Sequence, residues 1–106
     1  MMKVIYHIGK TIGFDTIAKK GIIKVDTQPI MIESKEGNLV LNDLKCVDLI
    51  KVNGLGTMIK VQNSSDIIYI AVPRIFIEIG TGFIIVNFFA TKKLYIRINK
   101  EWRNQL

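Results

Sequence analysis

Cysteine is almost missing from this chain: Cys46 is the only one among 106 residues. No intramolecular disulfide can form, and a lone thiol fits a reduced cytosol rather than an oxidising compartment. Histidine is as scarce. His7 stands alone between Tyr6 and Ile8, with no Cys or His at ligand spacing, so a metal site would have to recruit scattered carboxylates. Two prolines and three alanines leave little sign of a helical bundle or a Pro-rich linker. No apolar run is long. The longest, Gly82 to Ala90, already contains Asn87, and Glu78 interrupts any wider window. About 20 apolar residues are needed to span a bilayer, so no transmembrane helix is expected. The opening MMKVIYHIGK has no signal-peptide core, so secretion is not expected either.

What is abundant is branched at Cβ. Isoleucine occurs 20 times and valine 8 times, and such side chains favour pleated strands over helices. A chain of this length can bury one core without staples. The second excess is positive charge, with 15 Lys and Arg against 9 Asp and Glu, a net +6. That balance attracts anions. Twelve of the cations are Lys and only Arg74, Arg97 and Arg103 offer the bidentate fork suited to phosphate. The lysines are scattered, paired only at Lys19–Lys20 and Lys92–Lys93, and surface lysines also serve to guard strand edges.

Turn residues divide the chain into short alternating runs. KVIYHI (3–8) reads as a first strand. In GIIKVD (21–26), Ile23 and Val25 oppose Lys24 and Asp26; in PIMIES (29–34), Ile30 and Ile32 oppose Met31 and Glu33. Lys35-Glu36-Gly37-Asn38 is a hairpin turn, followed by NLVL (38–41). In KCVDLIKV (45–52) the alternation changes phase, which predicts a β-bulge near Leu49–Ile50. Gly54-Leu55-Gly56 turns into TMIKVQN (57–63), which alternates cleanly. DIIYIAV (66–72) is apolar on both faces and should be covered on both, and Pro73 ends its ladder or marks a bulge. RIFIEI (74–79), a Gly80-Thr81-Gly82 turn and FIIV (83–86) complete the strands.

After Asn87, a strong N-cap, the period changes. Phe88, Leu94, Tyr95, Ile98 and Trp102 fall on one helical face, and Arg103 suits the helix C-terminus. One helix is predicted over about 88–103. The expected fold is mainly β: about seven antiparallel strands within 3–86, curled into a half-open barrel and capped by one C-terminal helix, in a single domain over 1–106.

That order resembles the bacterial pleckstrin-homology-like (PH-like) domains. The run NLVLNDLKCVDLIKVNGLGTMIKV (38–61), with Leu41-Asn42-Asp43-Leu44-Lys45-Cys46-Val47 as its Leu-x-Asp-Leu-x-x-Val pattern, is similar to the middle of such domains. DIIYIAVPRIF (66–76) and NFFATKKLYIRI (87–98) are similar to their close. The similarity covers about residues 19–103. PH-like folds serve lipid binders, peptide binders and assembly modules, so fold alone does not choose among them. The resemblance implies that lipid binders of this type carry cations on the loop between their first two strands. If GIIKVD and PIMIES are those strands, the loop is Asp26-Thr27-Gln28-Pro29, with one acid and no cation, a departure from the phosphoinositide pattern.

Individual residues offer little chemistry. Gly54-x-Gly56 and Gly80-x-Gly82 lack the helix that a dinucleotide fingerprint requires. Ser34, Ser64 and Ser65 lie at turns without a nucleophile elbow. Cys46 would need His7 as its base. Asn42 and Asp43 suit a turn anchored by Leu41 and Leu44. FIIVNFF is either core or an exposed apolar patch.

The expectation is therefore a non-enzymatic, cytoplasmic binding or assembly module without a cofactor. It would act through protein–protein contacts or self-association, strand addition at an open edge being the simplest route. The alternative is peripheral attachment to an anionic membrane face, with Lys19, Lys20, Lys24, Lys92 and Lys93 as candidate contacts. Nucleic-acid binding is not expected, since Tyr69 and Phe76 lie among isoleucines rather than lysines.

Overall fold

The computed structural model describes residues 2–10, 19–26, 29–52, 56–73 and 86–104. Seven strands come first: β1 (Met2–Ile8), β2 (Lys19–Lys24), β3 (Ile30–Ser34), β4 (Gly37–Leu41), β5 (Cys46–Val52), β6 (Gly56–Gln62) and β7 (Ile67–Ala71). Helix α1 (Phe88–Asn104) follows. All neighbouring strands are antiparallel, in the order β4-β3-β2-β1-β7-β6-β5. β1 therefore sits at the centre, joining two meanders. Among the described residues the sheet is open rather than closed, with β4 and β5 at its edges. This mainly β architecture with one C-terminal helix is the expected one, and its strand order is consistent with a PH-like topology.

The alternation read from the sequence sorts side chains onto two faces. The inner face buries Val4 and Tyr6 of β1, Ile23 of β2, Ile30 and Ile32 of β3, and Leu41 of β4. Val47, Ile59, Val61, Ile68 and Ile70 join them from the other meander, and α1 closes this core with Leu94 and Ile98. The helix packs against β5 and β6. The outer face holds a smaller cluster of Ile5, Val52, Met58, Tyr69 and Ala71, with Ile50, Ile67 and Val86 packed on it. β7 is thus covered on both faces, as its unbroken apolar run demanded.

The same two-faced burial corrects the predicted bulge. β5 pairs with β6 without interruption from Cys46↔Gln62 to Val52↔Gly56. The phase change is real, but it marks a transfer of burial. Val47 and Leu49 serve the inner core, while Ile50 and Val52 serve the outer cluster. Pro73 lies beyond β7 and makes one isolated bridge with Val86. RIFIEI (74–79), the 80–82 turn and residues 83–85 lie outside the described residues, as do Thr27, Gln28 and Asn53 to Leu55.

Local chemistry explains the joints. Asn87 Oδ1 accepts the Ala90 N–H at 3.1 Å, the N-cap bond expected of Asn. Thr91, which the hydropathy pattern passes over, is the buried polar residue of the helix. Its Oγ1 accepts the Val72 N–H at 3.0 Å and its hydroxyl reaches back to the Val72 carbonyl at 3.5 Å. The helix is thereby tied to the end of β7. At the far end, Trp102 Nε1–H donates to the Leu44 carbonyl at 2.9 Å. Leu41 and Leu44 are buried on either side of a turn in which Asp43 takes φ 53°, the left-handed conformation that Asp tolerates. Gly21 is the one strand-interior glycine with a steric reason. A Cβ there would lie 2.7 Å from Ile32 Cγ2 and 2.9 Å from the Glu33 carbonyl oxygen. Tyr6 packs over this gap, and its hydroxyl donates to Ser34 Oγ at 3.0 Å. Such aromatic cover of a glycine is a recurring device in sheets.

Candidate functional site

The open edges are the first candidate surface. β5 carries the exposed Asp48 and Lys51 along its length. Charges of this kind discourage a further strand from adding. β4, GNLVL, carries none. It follows the tight turn at Lys35-Glu36, and Gly37 opens it at φ 121°, a conformation glycine adopts without strain. Val40 is 38% exposed on the outer face. Its register partner Met31 is half-buried, and Ile22 on β2 is again exposed. Between β2 and β3, however, Met31 faces Lys24 and Ile22 faces Glu33, and the Lys24–Glu33 ion pair lies between them. The uncharged edge thus adjoins the apolar pair Val40 and Met31 rather than a continuous shelf. Beneath it, Ser34 Oγ donates to the Gly37 carbonyl at 2.8 Å and accepts from the Tyr6 hydroxyl, which fixes the β3–β4 hairpin to the central strand.

The five candidate lysines fall into two groups. Lys20 and Lys24 point to the outer face of β2, whereas Lys19 pairs in register with Tyr6 and so has the opposite parity. Lys19 forms an ion pair with Glu36 at 2.9 Å and Lys24 with Glu33 at 2.8 Å. The hydrogen bond and charge of Glu36 raise the Lys19 pKa above its ordinary value. Lys92 and Lys93 stand exposed on α1, which packs toward the other end of the sheet. The helix touches the end of β2 through Arg97, which binds the Asp26 carboxylate at 2.8 Å. That pair lies after β2, at the connection to β3. The loop between the first two strands of the structure, β1 and β2, is instead 9–18, of which 11–18 lie outside the described residues, so Asp26-Thr27-Gln28-Pro29 is not that loop.

Phe88 was expected on the buried helical face, but it is 46% exposed and Phe89 is 75% exposed. Of the two readings of FIIVNFF, the exposed one therefore holds for its final pair. Thr91 takes the place in the buried stripe that the aromatic was expected to fill.

The fold keeps the thiol and the imidazole apart. His7 and Cys46 both belong to the outer face, but β7 and β6 intervene between their strands. Three strand spacings of about 4.8 Å separate their strands, and Cys46 lies two residues beyond Asp48, the β5 residue in the register row of His7. His7 instead stacks with Tyr69, ring centroids 6.5 Å apart, and the Tyr69 hydroxyl donates to the Lys10 carbonyl at 3.1 Å. Cys46 Sγ–H donates to Asp48 Oδ2 at 2.8 Å. That bond, helped by partial burial and the Asp48 charge, raises the thiol pKa, the reverse of what activates a nucleophile. Among the described residues no group of three or more His, Cys, Asp and Glu gathers as metal ligands, and no helix is long and apolar enough to cross a membrane.

A cavity of about 350 Å³ opens beside the β6–β7 turn, between Gly9, Lys10, Asn63, Ser65 and Asp66. Its polar groups hold the turn itself. Asn63 Oδ1 accepts the Ser65 and Asp66 N–H groups at 2.9 and 2.7 Å, and Asn63 N–H donates to the Asp66 carbonyl. No family model, curated protein or solved structure matches the chain.

Proposed function

We propose that this chain is a non-enzymatic, PH-like binding and assembly module that pairs strands through the edge of β4. The observation that carries the reading is the contrast between the two edges: β5 bears Asp48 and Lys51, and β4 bears no charge. Backbone N–H and C=O groups on an unguarded edge supply affinity without a sequence motif. A second copy is the simplest occupant, because two antiparallel β4 strands would bring no like charges face to face. The neighbouring pair Val40 and Met31 would add apolar contact beside the new ladder. An extended segment of another protein would use the same groups.

Size-exclusion chromatography with light scattering tests this reading. The wild-type chain should self-associate as concentration rises, and Val40→Lys, which places a guard charge on the edge, should remain monomeric with an unchanged melting temperature. A wild-type chain that stays monomeric at high concentration removes self-association. Equal association of the two proteins removes the β4 edge as its site.

A further inference from the structure

The outer face of α1 has an arrangement unlike that of an ordinary solvated helix. Thr91, Leu94 and Ile98 form its buried stripe. About 180° round from that stripe, where a surface helix normally places its most polar residues, stand Phe89 and Ile96. They are 75% and 55% exposed and, seven residues apart, lie on one line about 10 Å long. Arg103 continues the line. Lys92 flanks it on one side, and Lys93 and Lys100 on the other, all exposed. Phe88 adds a second exposed ring, edge-on to Phe89 with centroids 5.4 Å apart. The helix carries five cations and a single acid, Glu101. Glu101 lies between the buried stripe and the basic flank.

We infer that α1 docks lengthwise on an anionic lipid bilayer. Phe88, Phe89 and Ile96 would enter the interface, and Lys92, Lys93, Lys100 and Arg103 would meet the headgroups. An apolar midline with lysines on both flanks is the pattern of an interfacial helix, where the aliphatic stems of Lys lie along the apolar boundary and the ammonium groups reach the polar layer. A second copy of the same face is disfavoured by repulsion among its cations. Nucleic acid would engage the cations but has no use for an isoleucine on the midline. The inference does not rest on the β4 edge. It also divides the candidate lysines, because Lys92 and Lys93 belong to the docking face whereas Lys19 and Lys24 have acidic partners on β3 and its turn.

The test is co-sedimentation of the full chain with phosphatidylcholine vesicles, with and without phosphatidylglycerol. The wild type should bind only vesicles containing the anionic lipid, more weakly as salt is added. Phe89→Ser with Ile96→Ser should weaken partitioning about tenfold or more, as loss of two interfacial anchors implies. Lys92→Gln with Lys93→Gln should weaken it about fivefold per charge, the equivalent of ~1 kcal/mol each. All four positions are exposed, so circular dichroism and the melting temperature should be unchanged. Val40→Lys should bind vesicles like the wild type, which separates this surface from the edge. Absence of wild-type binding, or equal binding to neutral vesicles, overturns the proposal. So does binding that survives Phe89→Ser with Ile96→Ser but disappears with the lysine substitutions, which would mark a general polyanion site; a single-stranded oligonucleotide binding in the same way would identify it.

Discussion

Replacing Thr91 by Val is a near-isosteric change with a calculable consequence. Thr91 is fully buried, and its Oγ1 accepts the N–H of Val72, one residue past the end of β7. The Val72 carbonyl also loses the 3.5 Å contact to the hydroxyl, but it keeps the Asn87 N–H at 2.8 Å. The loss therefore concentrates on one donor. Leaving a buried N–H without an acceptor costs about 1–3 kcal/mol, and the added methyl recovers less than about 1 kcal/mol. A net loss of about 1–2 kcal/mol corresponds to roughly 5–9 °C in a domain of this size. Thermal unfolding by circular dichroism reads that shift, and hydrogen exchange at the Val72 amide locates it. Protection at Val72 should fall in Thr91→Val and persist in Thr91→Ser, which loses packing but retains the hydroxyl. A Thr91→Val protein as stable as wild type, or with Val72 still protected, would refute the role assigned to this hydroxyl.

Other substitutions test other joints. Gly21→Ala removes backbone freedom from the unfolded chain, which alone would stabilise by about 0.4–1 kcal/mol. The 2.7 and 2.9 Å approaches to Ile32 and the Glu33 carbonyl instead imply a net loss of about 1–2 kcal/mol from overpacking, so the sign of the shift in urea midpoint decides. Trp102→Phe retains an aromatic ring but frees the Leu44 carbonyl, and should cost about 1 kcal/mol in the same assay. Because Asp48 raises the Cys46 pKa, alkylation at about pH 8 should be slow and should accelerate in Asp48→Ala, whose thiolate forms at lower pH. The same raised pKa makes the stabilising contribution of this bond complete below the unfolded thiol pKa, and that contribution is lost as pH rises through the folded value.

Much of the architecture was legible because alternation is a local property. Ile30 and Ile32 against Met31 and Glu33, or Ile59 and Val61 against Met58 and Lys60, are sorted by the pleat alone, and the structure places them as read. Asn87 was legible as a cap because capping needs only the next three residues. The predicted bulge is absent because a shift of apolar phase has two causes, an inserted residue or a change of buried face. Only the continuous β5–β6 register tells them apart. Thr91 and Gly21 were invisible for a related reason. Their roles depend on Val72, Ile32 and Tyr6, which reach them through the fold.

The functional surfaces divide in the same way. Composition and spacing are enough to indicate short strands, a late helix and a cationic excess, since each follows from residue type and near-neighbour periodicity. Which strand becomes an unguarded edge follows from the order β4-β3-β2-β1-β7-β6-β5, because an edge is defined by the pairing that does not occur beside it. Which aromatics of the NFF segment are left outside follows from how α1 rotates onto β5 and β6. Packing chose Thr91, Leu94 and Ile98 for the core and turned Phe89 and Ile96 outward. Helical periodicity offered several apolar faces, and contacts between residues distant in the chain selected the one to bury.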